Sequence, residues 1–225
     1  MAEALISPTS VADQVFDRLY AEVLSAALPP GTRLSEAEVA ARLTVSRQPV
    51  HAAFHCLAKL GFLLIQPQKA TQISRISARD VRQARFVRLA IEVEVVHLAC
   101  DRLTEADLAA LHDNLAAQRQ ALQQHDHASF HQLDNAFHAA LCAAAGVGFA
   151  WAAIHHNKAH EDRVRFLALA AGSQTTYDEH LAIFAALQSR DADAAVTATR
   201  HHLGQIDAVM TALRHSNPGW FSDDN

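Results

Sequence analysis

The sequence predicts a mainly α protein in two parts. Three short helices with a β-hairpin come first, and an antiparallel all-α helical bundle follows. Three observations carry this. Seven Gly and six Pro in 225 residues are too few for a loop-rich or all-β chain. Alanine-rich runs at residues 136–145 and 192–198 favour helix. Apolar or β-branched stretches of strand length lie in one region, residues 62–74, and no strand signal follows Ser77.

The first helix is expected over residues 11–27. Ser10 is placed to cap it, and Val11, Val15, Leu19 and Val23 form a stripe at four-residue spacing. Leu28, Pro29, Pro30 and Gly31 end it. Ser35 and Glu38 read as a capping box, so a short second helix starts there and includes Val39 and Leu43. Thr44 and Val45 make a turn. Ser46 then caps a third helix that tolerates Pro49 in its first turn and stops at Gly61. Residues 62–66 and 71–74 read as two strands joined through Pro67, Gln68, Lys69 and Ala70. Helices are then expected at about 78–101, 105–124, 127–145, 148–170, 174–189 and 191–214, with Gly146, Gly148 and Gly172 as punctuation. The domains are thus residues 1–76, residues 77–215, and a loose polar tail at 216–225 in which Trp220 and Phe221 are placed to dock.

Three helices and a hairpin, with a very short turn between the second and third helices, make a winged helix-turn-helix. Net charge is −5, yet residues 39–79 carry Arg42, Arg47, Lys59, Lys69, Arg75 and Arg79 with no Asp or Glu. Such a local basic stretch in an acidic protein can be the footprint of a DNA-binding module, the alternative being a solvated face. Ser46 leaves the N-terminal N–H groups of the third helix available to a phosphate. Arg47 and Gln48 stand in its first turn, where Arg suits guanine and Gln suits adenine. Lys69, at the wing tip, is placed to reach a phosphate or the minor groove.

Cys56, Cys100 and Cys142 are far apart, with neither zinc spacing nor a disulfide framework, which fits a reducing cytoplasm. The N-terminus has no basic start and apolar core, so no signal peptide is expected, and no apolar run approaches the roughly 20 residues of a membrane helix.

Residues 28–50, LPPGTRLSEAEVAARLTVSRQPV, resemble the GntR family of bacterial transcription regulators. Pro30, Gly31, Arg33, Ser35, Glu36, Leu43, Val45, Ser46, Arg47, Pro49 and Val50 match the family pattern. His51 stands where the family usually has Arg, and Ala70 where the wing tip usually has Gly. The resemblance implies operator binding by a homodimer, and it adds Arg33 and His51 to the DNA-binding set.

In the bundle, Asp134 and His138 are four apart and share a helix face. His180 lies among Tyr177, Leu181 and Phe184, and His202 precedes Leu203. Three imidazoles and a carboxylate are a donor set for a first-row metal, here Zn, Ni or Mn. With fifteen His in the chain, spacing alone leaves a second reading open, polar groups satisfied inside the core. RLAIE at 88–92, DNAFH at 134–138, DRVR at 162–165 and the Glu179–His180 and His202–Leu203 pairs resemble the FCD ligand-binding domain of the FadR-type branch. That resemblance implies Asp134, His138, His180 and His202 as ligands of a divalent metal, with His201 the alternative to His202. Arg88 and Arg165 fit bidentate capture of a small organic acid effector. The alternative pairs Arg88 with Glu92, and Arg165 with Asp162 or Glu161. The reading is a DNA-binding regulator, not an enzyme. A metal sensor with the ion as signal is the first alternative, and a helical-bundle metalloenzyme the second.

Overall fold

The structure, a computed structural model, describes residues 10–66 and 70–223. It divides into two compact units. One ends at Ile76 and takes in Gly219–Ser222, and the other is Ser77–Pro218 with Asp223.

The first unit opens with α1, Val11–Leu24. Ser10 Oγ accepts from the Asp13 N–H, and Asp13 accepts in return from the Ser10 N–H, which satisfies two donors that a helix start leaves unpaired. Val15, Leu19 and Val23 are buried where α1 packs on the third helix, while Val11 stays half exposed. The helix ends earlier than residue 27 because Ala26 turns to φ +54°. Strand β1 is Arg33–Leu34, α2 is Glu36–Leu43, and α3 is Arg47–Lys59. Thr44 takes a left-handed conformation, φ 56° and ψ 44°, and so makes the tight α2–α3 turn. Ser35 and Ser46 hold the N-cap positions with extended backbone, but neither side chain makes a capping bond, so the expected capping box at Ser35 and Glu38 is not formed.

Strands β2, Leu63–Leu64, and β3, Thr71–Ile73, pair antiparallel as expected. Among the described residues the wing nevertheless has three strands, in the order β1-β3-β2, with Arg33 opposite Gln72. A two-residue strand is too short for its alternation to show in sequence. Gly31, at φ +87°, makes the entry possible: its N–H bonds Ile73 O at 2.8 Å.

The tail docks at the two aromatics placed to do so and is not loose there. The Ile76 N–H bonds Trp220 O at 2.8 Å, and the Ser222 N–H bonds Ile76 O at 2.9 Å. Phe221 is 3% exposed. Residues 219–222 are therefore a docked part of the first unit. Two aromatics in a polar tail have apolar area to bury, and this outweighs the polarity of their neighbours.

The second unit is all helix: α4 Ala78–Arg102, α5 Glu105–Gln123, α6 His127–Ala144, α7 Phe149–Asn157, α8 Ala159–Gln188, α9 Ala192–Gly204 and α10 Ile206–Ser216. Side chains of Ser77, Thr104, Asp126 and Asp191 cap α4, α5, α6 and α9. The core runs through Val95, Val96, Ala99, Leu111, Leu115, Phe130, Phe137, Leu141, Ile154, Ile183 and Leu187. Two boundaries differ from expectation. The helix expected to stop near Gly172 runs on as the 30-residue α8, and the break falls at Lys158 instead. A helical Gly costs only about 1 kcal/mol, which packing readily overrides. The last expected helix is divided at Gln205 into α9 and α10. Among the described residues no helix is long and apolar enough to cross a membrane.

Candidate functional site

In the first unit, α3 buries Val50, Ala53, Phe54 and Leu57 and turns its other face to solvent. Ser46, Arg47, Gln48, His51 and His55 are exposed along that face. Arg47 and Gln48 make no ion pair or side-chain hydrogen bond among the described residues, so their polar ends are available. His51 is engaged: its Nδ1 lies 2.8 Å from Glu36 Oε1, and its ring meets His55 edge-on. Arg42, part of the basic stretch, is also engaged, donating to the buried Glu22 of α1 at 2.8 Å. Arg33 is exposed on β1 and shares a shallow concavity with Gln66, Ala70 and Gln72. Lys69 lies outside the described residues.

In the second unit, α6, α8 and α9 bring Asp134, His138, His180 and His202 together. All four are buried, and one donor atom from each lies within 4.8 Å of the others. The imidazoles share an arrangement. His180 Nδ1 lies 2.9 Å from Gln118 Oε1, His202 Nδ1 lies 2.8 Å from Glu179 Oε2, and His138 Nδ1 lies 2.6 Å from Glu92 Oε2, off hydrogen-bond alignment. The three Nε2 atoms are buried without a hydrogen-bond partner, those of His180 and His138 standing 3.3 and 4.0 Å from Asp134 Oδ1. Buried polar atoms seldom go unpaired. Three in one cluster, two of them on rings whose other nitrogen is hydrogen-bonded from outside, fit a metal site with its outer shell. His202 is fully buried in the cluster, whereas the His201 side chain is largely exposed.

The tautomer at His180 follows from the chain of bonds behind it. Leu133 O can only accept, so Asn114 turns its Nδ2 to it, at 3.1 Å. Asn114 Oδ1 then accepts from Gln118 Nε2 at 2.7 Å. This leaves Gln118 Oε1 facing His180, whose Nδ1 must donate, and Nε2 keeps its lone pair.

Electrostatics agree. Burial opposes ionisation of Asp134, but contact with His180 and the charge of nearby groups hold its carboxyl well below the usual range. Burial pushes His180 and His202 down, favouring the neutral imidazoles that metals need. Burial also works against a charged Glu92, yet Arg88 and His138 outweigh it and hold the carboxyl at about 2.

A cavity of about 150 Å³ opens beside the cluster. Asp134, Glu179, Arg165 and His131 line it, with Thr175, Thr176 and Gln205 and the apolar Ala168, Ile206 and Val209. Arg165 donates to Glu161 at 2.6 Å. Arg88 is not in the lining. It is 1% exposed and donates to Glu92 at 2.5 Å and to Glu161 at 3.0 Å. His131 is buried and lines the cavity, with Asn135 holding its Nε2 at 3.3 Å. Sequence reasoning missed Gln118 and Glu179 as partners of the clustered imidazoles. Gln118 had a signal: it interrupts the apolar stripe Leu111, Leu115, Ala121 that α5 buries.

A winged helix-turn-helix joined in sequence to an all-α unit defines a DNA-binding transcription regulator. Residues 11–73 match "Bacterial regulatory proteins, gntR family" and residues 83–205 match the FCD domain. The chain is 37% identical over 225 residues to the HTH-type transcriptional repressor RspR of Escherichia coli K12, covering 99% of each chain. It is 33% identical to an HTH-type transcriptional regulator of Streptomyces ambofaciens, covering 93% of this chain and 89% of the relative. Its fold is similar to E. coli McbR/YncC, with a TM-score of 0.74 at 22% identity, covering 91% of this chain and 99% of that one. A GntR regulator from Rhodococcus sp. RHA1 is similar too, with a TM-score of 0.72 at 20% identity, covering 89% and 98%. The chain belongs to the GntR family and carries an FCD domain as its second half. Its relatives are regulators and not enzymes, so the metalloenzyme reading falls away.

Proposed function

We propose that the protein is a cytoplasmic, homodimeric repressor that releases or rebinds a pseudo-palindromic operator in response to a small carboxylate. Arg47 and Gln48 read base edges from the first turn of α3, while Arg33 and Lys69 hold the backbone. Repression is suggested by the name of the E. coli relative. Asp134, His138, His180 and His202 would hold one divalent ion. When bound, the ion would offer an open position to a ligand oxygen. Gln118, Glu92 and Glu179 orient the three rings from behind. Arg165, at the cavity wall, is the guanidinium placed to meet the ligand carboxylate, and Arg88 supports it through Glu161.

The observation that carries this reading is the set of three partnerless buried Nε2 atoms around one carboxylate. The adjoining cavity favours an organic ligand as the signal over the ion alone. Binding of purified protein to DNA upstream of its own gene, with and without Zn²⁺ and a panel of organic acids, tests it. Specific binding altered by an acid only in the metal-loaded protein is expected. Binding that tracks the ion alone would favour the metal-sensor reading.

A further inference from the structure

One face of α4 is open to solvent along nearly its whole length, while the opposite face packs on α6, α8 and α9. Arg79, Arg82, Phe86, Ala90, Glu94 and Asp101 are all exposed. At about 100° per residue they fall within one arc of roughly 120°. Phe86 is 74% exposed, and the partly buried Leu89 and Val93 lie beside it on the same arc. A solvent-facing helix stripe is normally polar, so an uncovered phenylalanine flanked by aliphatic side chains marks a contact surface.

The charges on this face are sorted by sign. Arg79 and Arg82 come before Phe86, and Glu94 and Asp101 come after Ala90. None of the four makes an ion pair or side-chain hydrogen bond among the described residues. The other charges nearby do not blur the pattern: Asp80 lies off the arc, Arg85 pairs with Asp207, and Arg102 donates to Ala145 O. A face basic at one end, apolar in the middle and acidic at the other is complementary to itself turned end for end. A two-fold axis at Leu89 sets each residue opposite the one equally far beyond position 89. Leu89 then meets its own mate, and Phe86 falls within one residue of the partner's Val93. Arg79 and Arg82 fall within two residues, about 3 Å along the axis, of the partner's Asp101 and the partner's Glu94. A parallel pairing would set guanidinium on guanidinium and carboxylate on carboxylate.

We propose that this face of α4 binds a second copy of the chain, with the two α4 helices antiparallel, Phe86 packed against Leu89 and Val93, and Arg79 and Arg82 paired with the acidic end of the partner helix. The proposal rests on the homodimer reading above and names its surface. Sedimentation velocity of the full chain over a concentration series tests it. Arg79→Glu with Arg82→Glu makes the face acidic throughout, and Glu94→Arg with Asp101→Arg makes it basic throughout. Each double variant is expected to raise the dimer Kd at least about tenfold, because like charges then face each other. An equimolar mixture of the two is expected to recover a tight dimer, the acidic face meeting the basic one. Phe86→Ser should loosen the dimer with the charges intact. Wild-type protein that stays monomeric at micromolar concentration overturns the homodimer reading and this proposal together. A wild-type dimer that both charge variants leave as tight, or a mixture no tighter than either variant alone, overturns this proposal alone. Circular dichroism checks that the variants fold. Should a charge variant not fold, Phe86→Ser decides, and an unchanged dimer in it overturns the proposal.

Discussion

Gln118 accepts a hydrogen bond from His180 across 2.9 Å, and both side chains are fully buried. This contact joins α5 to α8 and fixes which nitrogen of His180 faces Asp134. Gln118→Ala should therefore weaken metal binding about 10–100-fold, the usual effect of losing an outer-shell partner. Gln118→Glu, which keeps the acceptor, should retain most of the affinity. Competition against a fluorescent zinc chelator measures both. Equal affinity in wild type and Gln118→Ala would remove Gln118 from the site.

The reading head gives a second prediction. Arg47→Ala should weaken operator binding by about 1–3 kcal/mol and relax discrimination at one base pair. Lys69→Ala should instead weaken all sequences alike and reduce the salt slope by about one. Affinities on point-mutated operators over a salt series separate the two. If Arg47→Ala leaves operator affinity unchanged, α3 does not read the bases.

The Arg88–Glu92 pair predicts an acid-sensitive fold. The Glu92 carboxyl moves from an ordinary 4.5 to about 2 in the folded protein. The folded value is below the unfolded one, so the unfolded chain takes up the proton first. The stabilisation is complete above about pH 4.5 and is lost as pH falls towards 2. It is worth on the order of 3 kcal/mol. Glu92→Gln should lose roughly that much at neutral pH and show a flatter acid limb in urea unfolding. A wild-type limb no steeper than that of Glu92→Gln would contradict the pairing.

The docked tail predicts that Phe221→Ala destabilises the first unit by about 3 kcal/mol, the scale for emptying a buried phenylalanine site. Trp220 fluorescence during urea unfolding reports it, since the Trp220 carbonyl is bonded to Ile76. A change below about 0.5 kcal/mol would place the tail outside the fold.

Much of this was legible in sequence. The helix-turn-helix was, because Thr44, Ser46 and Pro49 are punctuation at fixed offsets and the apolar stripe of α1 is regular. The cluster of Asp134, His138, His180 and His202 was legible through the local resemblance, since Asp134 and His138 share one helical face. Their partners were not. Gln118 and Glu179 meet His180 and His202 only through helix packing, and Glu92 meets His138 from another helix. The roles of Arg88 and His131 also depended on tertiary burial, which spacing along one helix does not report. The boundary at Lys158 carries no Pro and no capping side chain, so nothing local announced it, while the one at Gln205 had a signal in Gly204 that the sequence reading passed over.

Three imidazoles and one carboxylate are proposed to hold one divalent ion. Calorimetric titration of chelator-stripped protein with Zn²⁺ tests it most directly, with His138→Ala and His180→Ala alongside. One ion per chain is expected, with a rise in melting temperature with zinc as mass action requires, and loss of both effects in each variant. Absence of saturable zinc binding in the wild type, or binding that survives both substitutions, would contradict it.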